Sequence, residues 1–330
     1  MQNSIAGRAM VDLFGKFNAF ANRSPARIAI ILAVLIYGFT VLMVPSAFNV
    51  RAISTLFMLT LLLCFASAGQ TMVMIGGGMD FTVGAVMSVA AIITTVVMQG
   101  RSGMFFHAFA ICMVFGVVVG FVNGVCTTKI GLPALVVTLA ISNVVNRMSY
   151  ILTGGTPTGT VGRDFARSVI HRYFGVIPSI TLYALIIFPM VFYILYRSRF
   201  GRQLYLVGNN AEAARLCGID VVRVKTISYM ISGMFSAFSG MLGVAMLHSA
   251  RNMMFDGYAY SSLIAVVVGG TSFAGGIGTY AGTIAGSMVM VMLNNMLTSL
   301  NLTQIVREIT MGTVLVLILV MYNRKKAVRQ

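Results

Sequence analysis

Side chains able to do chemistry are sparse here, with 7 Asp and Glu, 3 His and 4 Cys among 330 residues. His107, His171 and His248 share no metal-ligand spacing, and Cys64, Cys112, Cys126 and Cys217 are scattered, three of them within apolar runs. Neither a metal site nor a disulfide framework is expected, and no nucleophile, base and orienter assemble into a catalytic set. Gly15-Lys16 is followed by Phe17 and lacks the upstream glycine of a phosphate-binding loop, so nucleotide hydrolysis is not expected from this chain. No cofactor is implied.

Three sets of polar residues remain. Gln70, Asp80, Asn123, Asn143, Asn146 and Asn294 interrupt apolar stretches. They can offer donors and acceptors to a hydroxyl-bearing solute, or simply bond neighbouring helices. Asp80, just before Phe81 and Thr82, also reads as a helix cap. Arg163, Arg167 and Arg172, joined by Arg251, form a cationic group suited to acidic patches on a partner or to lipid headgroups. The third set is residues 197 to 225, RSRFGRQLYLVGNNAEAARLCGIDVVRVK, which carry six cations. Within it, Asn210 can cap a short helix from Ala211, Glu212 sits in the first turn, and Gly218 supplies the stop. Glu212 and Arg215 stand three residues apart, where pairing contributes about 0.2 to 0.5 kcal/mol, so contact with a partner is the larger role.

The elements that hold these residues are set by composition. The chain is 58% hydrophobic and 9% charged, with repeated apolar runs near the roughly 20 residues that a helix needs to cross a bilayer. The runs are continuous rather than alternating, so helices rather than barrel strands are predicted: an all-α polytopic membrane protein. The formal charge of +16 comes without a compact basic domain, which argues against nucleic acid and for basic loops on one side of a membrane.

Ten spans are predicted, at 28 to 47, 52 to 74, 82 to 99, 105 to 126, 133 to 153, 178 to 196, 226 to 247, 261 to 275, 279 to 299 and 304 to 322. Residues 1 to 27, with Ile5, Met10, Phe14 and Phe17 on one face, are expected to form an amphipathic segment on the cytoplasmic surface. It lacks a cleavable-leader pattern, so the first span is expected to stay as an anchor. Residues 323 to 330 are expected to be a basic cytoplasmic tail. Alternating the spans from a cytoplasmic N-terminus puts fifteen cations inside and seven outside, with Arg147 in a span where it can snorkel. Both termini and the 197 to 225 loop are then cytoplasmic, and residues 154 to 177 are periplasmic, with Phe165, Val169, Ile170 and Phe174 spaced for a short interfacial helix.

Two glycine-rich breaks resemble each other: MVMIGGGMDFTVGAVMSVAA at 72 to 91 and AVVVGGTSFAGGIGTYAGTIAGS at 265 to 287. Paired breaks in the two halves of an internal repeat point to a transport pathway, though small residues also serve close helix packing.

The string EAARLCG, with Glu212, Ala213, Ala214, Arg215 and Gly218, resembles the EAA signature of ABC transporter permeases. With RFGRQLYLVGNNAEAARLCGI, GGGMDFTVGAVMSVAA and AVVVGGTSFAGGIGTYAGT, the chain from about 50 to 322 is similar to the branch importing ribose and related monosaccharides. The Leu-Pro that often follows the EAA motif is missing here. The resemblance implies a bacterial inner-membrane subunit that pairs with a second permease, two cytoplasmic ATPase subunits and a periplasmic solute-binding protein. A branched-chain amino acid permease of the same kind is the alternative. A stand-alone channel or ion-coupled carrier belongs to another class, and the scarcity of carboxylates within spans counts against it.

Overall fold

The computed structural model describes residues 25–45, 48–303, 305–307 and 309–313. Its helices are α1 (Pro25–Met43), α2 (Val50–Ile75), α3 (Val83–Met98), α4 (Phe105–Thr128), α5 (Ala134–Thr153), α6 (Arg163–Ile170), α7 (Ile180–Tyr196), α8 (Arg199–Asn209), α9 (Ala211–Leu216), α10 (Val221–Leu247), α11 (Tyr258–Val268) and α12 (Tyr280–Ser299). Between α6 and α7 a short antiparallel hairpin pairs β1 (Arg172–Tyr173) with β2 (Ile177–Pro178). The basic tail at 323 to 330 and nearly all of the amphipathic segment at 1 to 27 lie outside the described residues, and residues 25 to 27 already belong to α1.

Helix α10 is the central post, packed on α2, α3 and α4. Hydrocarbon gives apolar helices no reason to avoid their solvent, so their association relies on close van der Waals approach and interhelical bonds. Glycine supplies the approach along α4. A Cβ on Gly120 would lie 2.7 Å from Met230 Cα, and one on Gly124 would lie 2.7 Å from Thr226 Cα. Hydroxyls supply the bonds: Ser239 donates to the Leu62 carbonyl at 2.8 Å, and Thr71 pairs with Thr283 at 2.8 Å. Large apolar side chains such as Leu35, Ile151, Leu185 and Ile186 stay exposed on the outside, where they meet lipid.

Six helices among the described residues are long and apolar enough to cross a membrane, or seven if the bent pair α7 and α8 counts as one span. This falls short of the ten predicted, for three reasons. The spans predicted at 82 to 99 and 261 to 275 are the shorter helices α3, of 16 residues, and α11, of 11. The span at 304 to 322 is helical at 305–307 and 309–313 and otherwise lies outside the described residues. The predicted 178 to 196 span, α7, turns by 59° into α8, which makes much of the expected 197 to 225 loop helical. The turn is written locally: Ser198 Oγ donates to the Ile194 carbonyl at 2.6 Å and accepts from Gly201 N at 3.0 Å.

Helix α2 joins two ends of the molecule, about 39 Å apart for 26 residues at 1.5 Å each. Near its start Ser54 and Thr55 accept bonds from Arg172 of the hairpin. At its finish the Ile75 carbonyl accepts from Gly276 N of the second break at 2.8 Å. The hairpin and α6 mark one end, and α8 with α9 the other. Helix α11 is short because the chain ahead of it, at residues 252 to 256, turns inward instead of continuing the helix. Phe255, 5% exposed, donates its N–H to Ser88 Oγ at 3.0 Å, and the Asp256 carbonyl lies 2.6 Å from where a Cβ on Gly84 would be.

Candidate functional site

The first element of the site is α9. Asn210 takes extended backbone and its side chain accepts from Ala213 N at 3.0 Å, which satisfies a donor that a helix start leaves free. At the other end Ile219 N bonds the Ala214 carbonyl at 3.0 Å, and Gly218 takes φ +79, a left-handed value that glycine adopts without strain. The predicted cap, helix and stop are all present. Ala214 is buried and seats the helix, whereas Glu212, Ala213, Arg215 and Cys217 are exposed and Leu216 is 90% exposed. Glu212 and Arg215 form no ion pair among the described residues, so the predicted pairing is absent and both charges face outward. The result is a rigid, mixed apolar and charged knob.

The second element is a pair of short helices, α3 and α11, each preceded by an aspartate, of which Asp80 bonds the start of its own helix and Asp256 does not. Asp80, 1% exposed, accepts from Thr82 N at 2.9 Å, from Thr82 Oγ1 and from Ser232 Oγ at 2.7 Å. Asn123 extends the network by donating to Thr82 Oγ1 at 2.9 Å. Asp80 therefore heads α3 through an Asx-type turn, with Thr82 in the cap position itself. Ser232 lies eleven residues into α10, roughly 16 Å from its start, so Asp80 is buried against the middle of a long helix. The second carboxylate, Asp256, comes two residues before α11 and accepts from Asn146 Nδ2 at 2.8 Å. Ser149 and Asn252 continue this cluster at 3.1 Å, and Asn252 reaches the Gly155 carbonyl at 2.9 Å.

Asp256 and Asn252 were missed from sequence because residues 248 to 260 read as a surface connection. The Asp-Gly pair looks like a turn, and its depth is invisible without the fold. The six polar residues predicted for a pathway do not converge. Asp80 and Asn123 share one network, and Asn146 joins Asp256. Gln70 is fully buried with neither amide atom bonded within the described residues. Asn143 is exposed and bonds its own helix at the Leu139 carbonyl, and Asn294 lies half-buried on α12.

The third element lies at the hairpin end. Helix α6 buries Phe165, Ala166 and Val169 and turns Arg163 and Arg167 outward, as the predicted periodicity requires. Phe174 does not continue that face. It occupies the hairpin turn at φ +53 and is 97% exposed. Arg163, Arg167, His171, Arg172 and His248 line a cleft of about 460 Å³. Arg172 is also tied to Ser54 at 3.0 Å, so part of its guanidinium is spent inside the molecule, and Arg251 does not line the cleft. Among the described residues no group of His, Cys, Asp and Glu is arranged to hold a metal.

Several helices long and apolar enough to cross a membrane, with two glycine-rich breaks between them, mark a polytopic membrane protein of the permease kind. Residues 51–319 match the family described as the branched-chain amino acid transport system/permease component, and the chain belongs to that family. It is 29% identical over 287 residues to the ribose import permease protein RbsC of Escherichia coli K12, covering 86% of this chain and 88% of that one. It is 28% identical over 313 residues to the galactose/methyl galactoside import permease protein MglC of Haemophilus influenzae, covering 89% and 93%. It is 30% identical over 270 residues to the L-arabinose transport system permease protein AraH of Escherichia coli K12, covering 79% and 78%. The likeness to monosaccharide importer permeases drawn from the EAARLCG string and the breaks is therefore confirmed. No solved structure matches the chain.

Proposed function

We propose that this chain is the membrane-spanning subunit of an ATP-driven importer in a bacterial inner membrane, forming the path for a monosaccharide or related small polar solute. It would work with a second permease copy or paralogue, with cytoplasmic ATPase subunits that engage α9, and with a periplasmic binding protein that docks at the cleft of Arg163, Arg167 and Arg172, with the exposed Arg251 as a further cation for it. The observation that carries this reading is α9, a capped and outward-facing knob at the end where both breaks arrive, on a chain with no nucleotide-binding loop of its own. The names of the relatives favour a sugar, whereas the description of the family favours the second reading, a branched-chain amino acid permease.

We infer ten crossings. The contacts at both ends support alternating directions for α1, α2, α3, α4, α5, α7, α10, α11 and α12, with each break completing a short helix, and the last crossing follows α12. Both termini then lie on the α9 side, which is the cytoplasmic side because the basic loop is there. Proteoliposomes test the whole. The chain with its ATPase and binding protein should accumulate radiolabelled sugar only with ATP, and the chain alone should accumulate none. Uptake by the chain alone would establish a channel or carrier instead.

A further inference from the structure

Both breaks touch the same turn of one helix, and they touch it by backbone. We propose that Gly208, Gly275 and Gly276 form a side-chain-free joint that carries displacement of α9 into the two glycine-rich breaks together. They are positioning residues for transport, and the proposal rests on the functional reading above. Gly208 is in the last turn of α8, two residues before the Asn210 cap of α9. A Cβ on Gly208 would overlap the Ile75 carbonyl oxygen at the end of α2 and lie 2.6 Å from Gly276 N. One on Gly276 would lie 2.8 Å from Asn209 Cα, and one on Gly275 would lie 2.9 Å from both the Gly208 carbonyl oxygen and Gly77 Cα. The stack is pinned by Gly276 N donating to the Ile75 carbonyl at 2.8 Å and by Tyr205 Oη donating to the Gly278 carbonyl at 2.8 Å.

Three segments distant in sequence thus meet main chain to main chain, with nothing between them that can change rotamer. A close-packed contact of this kind moves as a unit rather than deforming continuously. Displacing α9 must then drag the first break, which leads to Asp80 and α3, and the second, which leads to α12. Glycines that served only to pack the fold would affect assembly and nothing else.

The test uses the complete complex of this permease with its ATPase and binding protein in liposomes. In Gly208→Ala, basal ATPase should persist while stimulation by loaded binding protein and solute uptake fall by about tenfold, within the range of typical coupling energies. Tyr205→Phe removes the bond to the Gly278 carbonyl, together with a hydroxyl contact to Tyr196, without steric conflict and should lower stimulation by about threefold with basal activity kept. Unchanged stimulation in Tyr205→Phe overturns the joint, whether or not Gly208→Ala assembles. A direct measurement uses spin labels on the exposed Cys217 of α9 and on Ile277→Cys of the second break, which is 65% exposed in the native protein. Their separation should stay constant through the nucleotide cycle while each moves relative to α6, and a nucleotide-dependent separation overturns the joint. Loss of ATP-driven uptake in the wild-type complex would instead remove the functional reading and the joint with it.

Discussion

Two short helices of the interior, α3 and α11, are each preceded by an aspartate, and the two aspartates sit in different surroundings. Asp80 at α3 is sealed, with its oxygens taken by Thr82 and Ser232 and the next layer closed by Asn123. Asp256, ahead of α11, is only half-buried, accepts one side-chain bond among the described residues, from Asn146, and adjoins a chain of polar side chains that runs through Ser149 and Asn252 to the Gly155 carbonyl. A buried carboxylate saturated with donors fixes a helix start in place, whereas one that bonds only a neighbouring helix leaves its own helix start without that tie. The comparison teaches that α3 is tied at its start by a side chain and α11 is not.

This contrast can be tested directly. Asp80→Ala should have the largest effect: loss of charge-assisted bonds in a sealed site costs about 3 kcal/mol and should appear as reduced yield and a lowered melting temperature in detergent. A melting temperature equal to wild type would mean that Asp80 anchors nothing. Asp256→Asn should leave the melting temperature within a few degrees of wild type yet reduce uptake several-fold, about 1 kcal/mol of lost coupling. If it destabilises the protein as strongly as Asp80→Ala, the two aspartates are equivalent. Smaller still, Arg163→Glu with Arg167→Glu should weaken stimulation by the binding protein about threefold, and more at low salt than at high, because exposed charges are screened. Stimulation insensitive to both changes would assign the cleft to lipid. Smallest is Gln70→Met, which replaces a buried amide lacking partners among the described residues and should raise stability by about 1 kcal/mol in a thermal denaturation series. A stability loss would show that the Gln70 amide is satisfied in the native protein.

How much was legible depended on how local each feature is. The α9 handle was readable to the residue because the Asn210 cap and the Gly218 stop act within one turn. The α6 face was readable because an interfacial helix separates polar from apolar sides. The depth of residues 252 to 256 was hidden, as were the shortness of α11 and the approach of Gly208 to Gly276. In a helix apolar on every side, lipid-facing and core-facing positions share one composition, so periodicity does not say which face turns inward. The same blindness scattered the predicted pathway residues: Asn143 faces outward and Asn123 inward, though both are asparagines in apolar runs.

The amino-acid sequence alone determined that this is a helical membrane protein, where its glycine breaks fall, and where one small capped helix protrudes, because hydropathy and capping act over a few neighbouring residues. Tertiary structure decided that the two breaks meet at the last turn of α8, just before that helix, that one aspartate is sealed and the other half-buried, and that three arginines share one cleft. Those outcomes depend on contacts between segments scores of residues apart, where the deciding quantity is how closely two backbones approach.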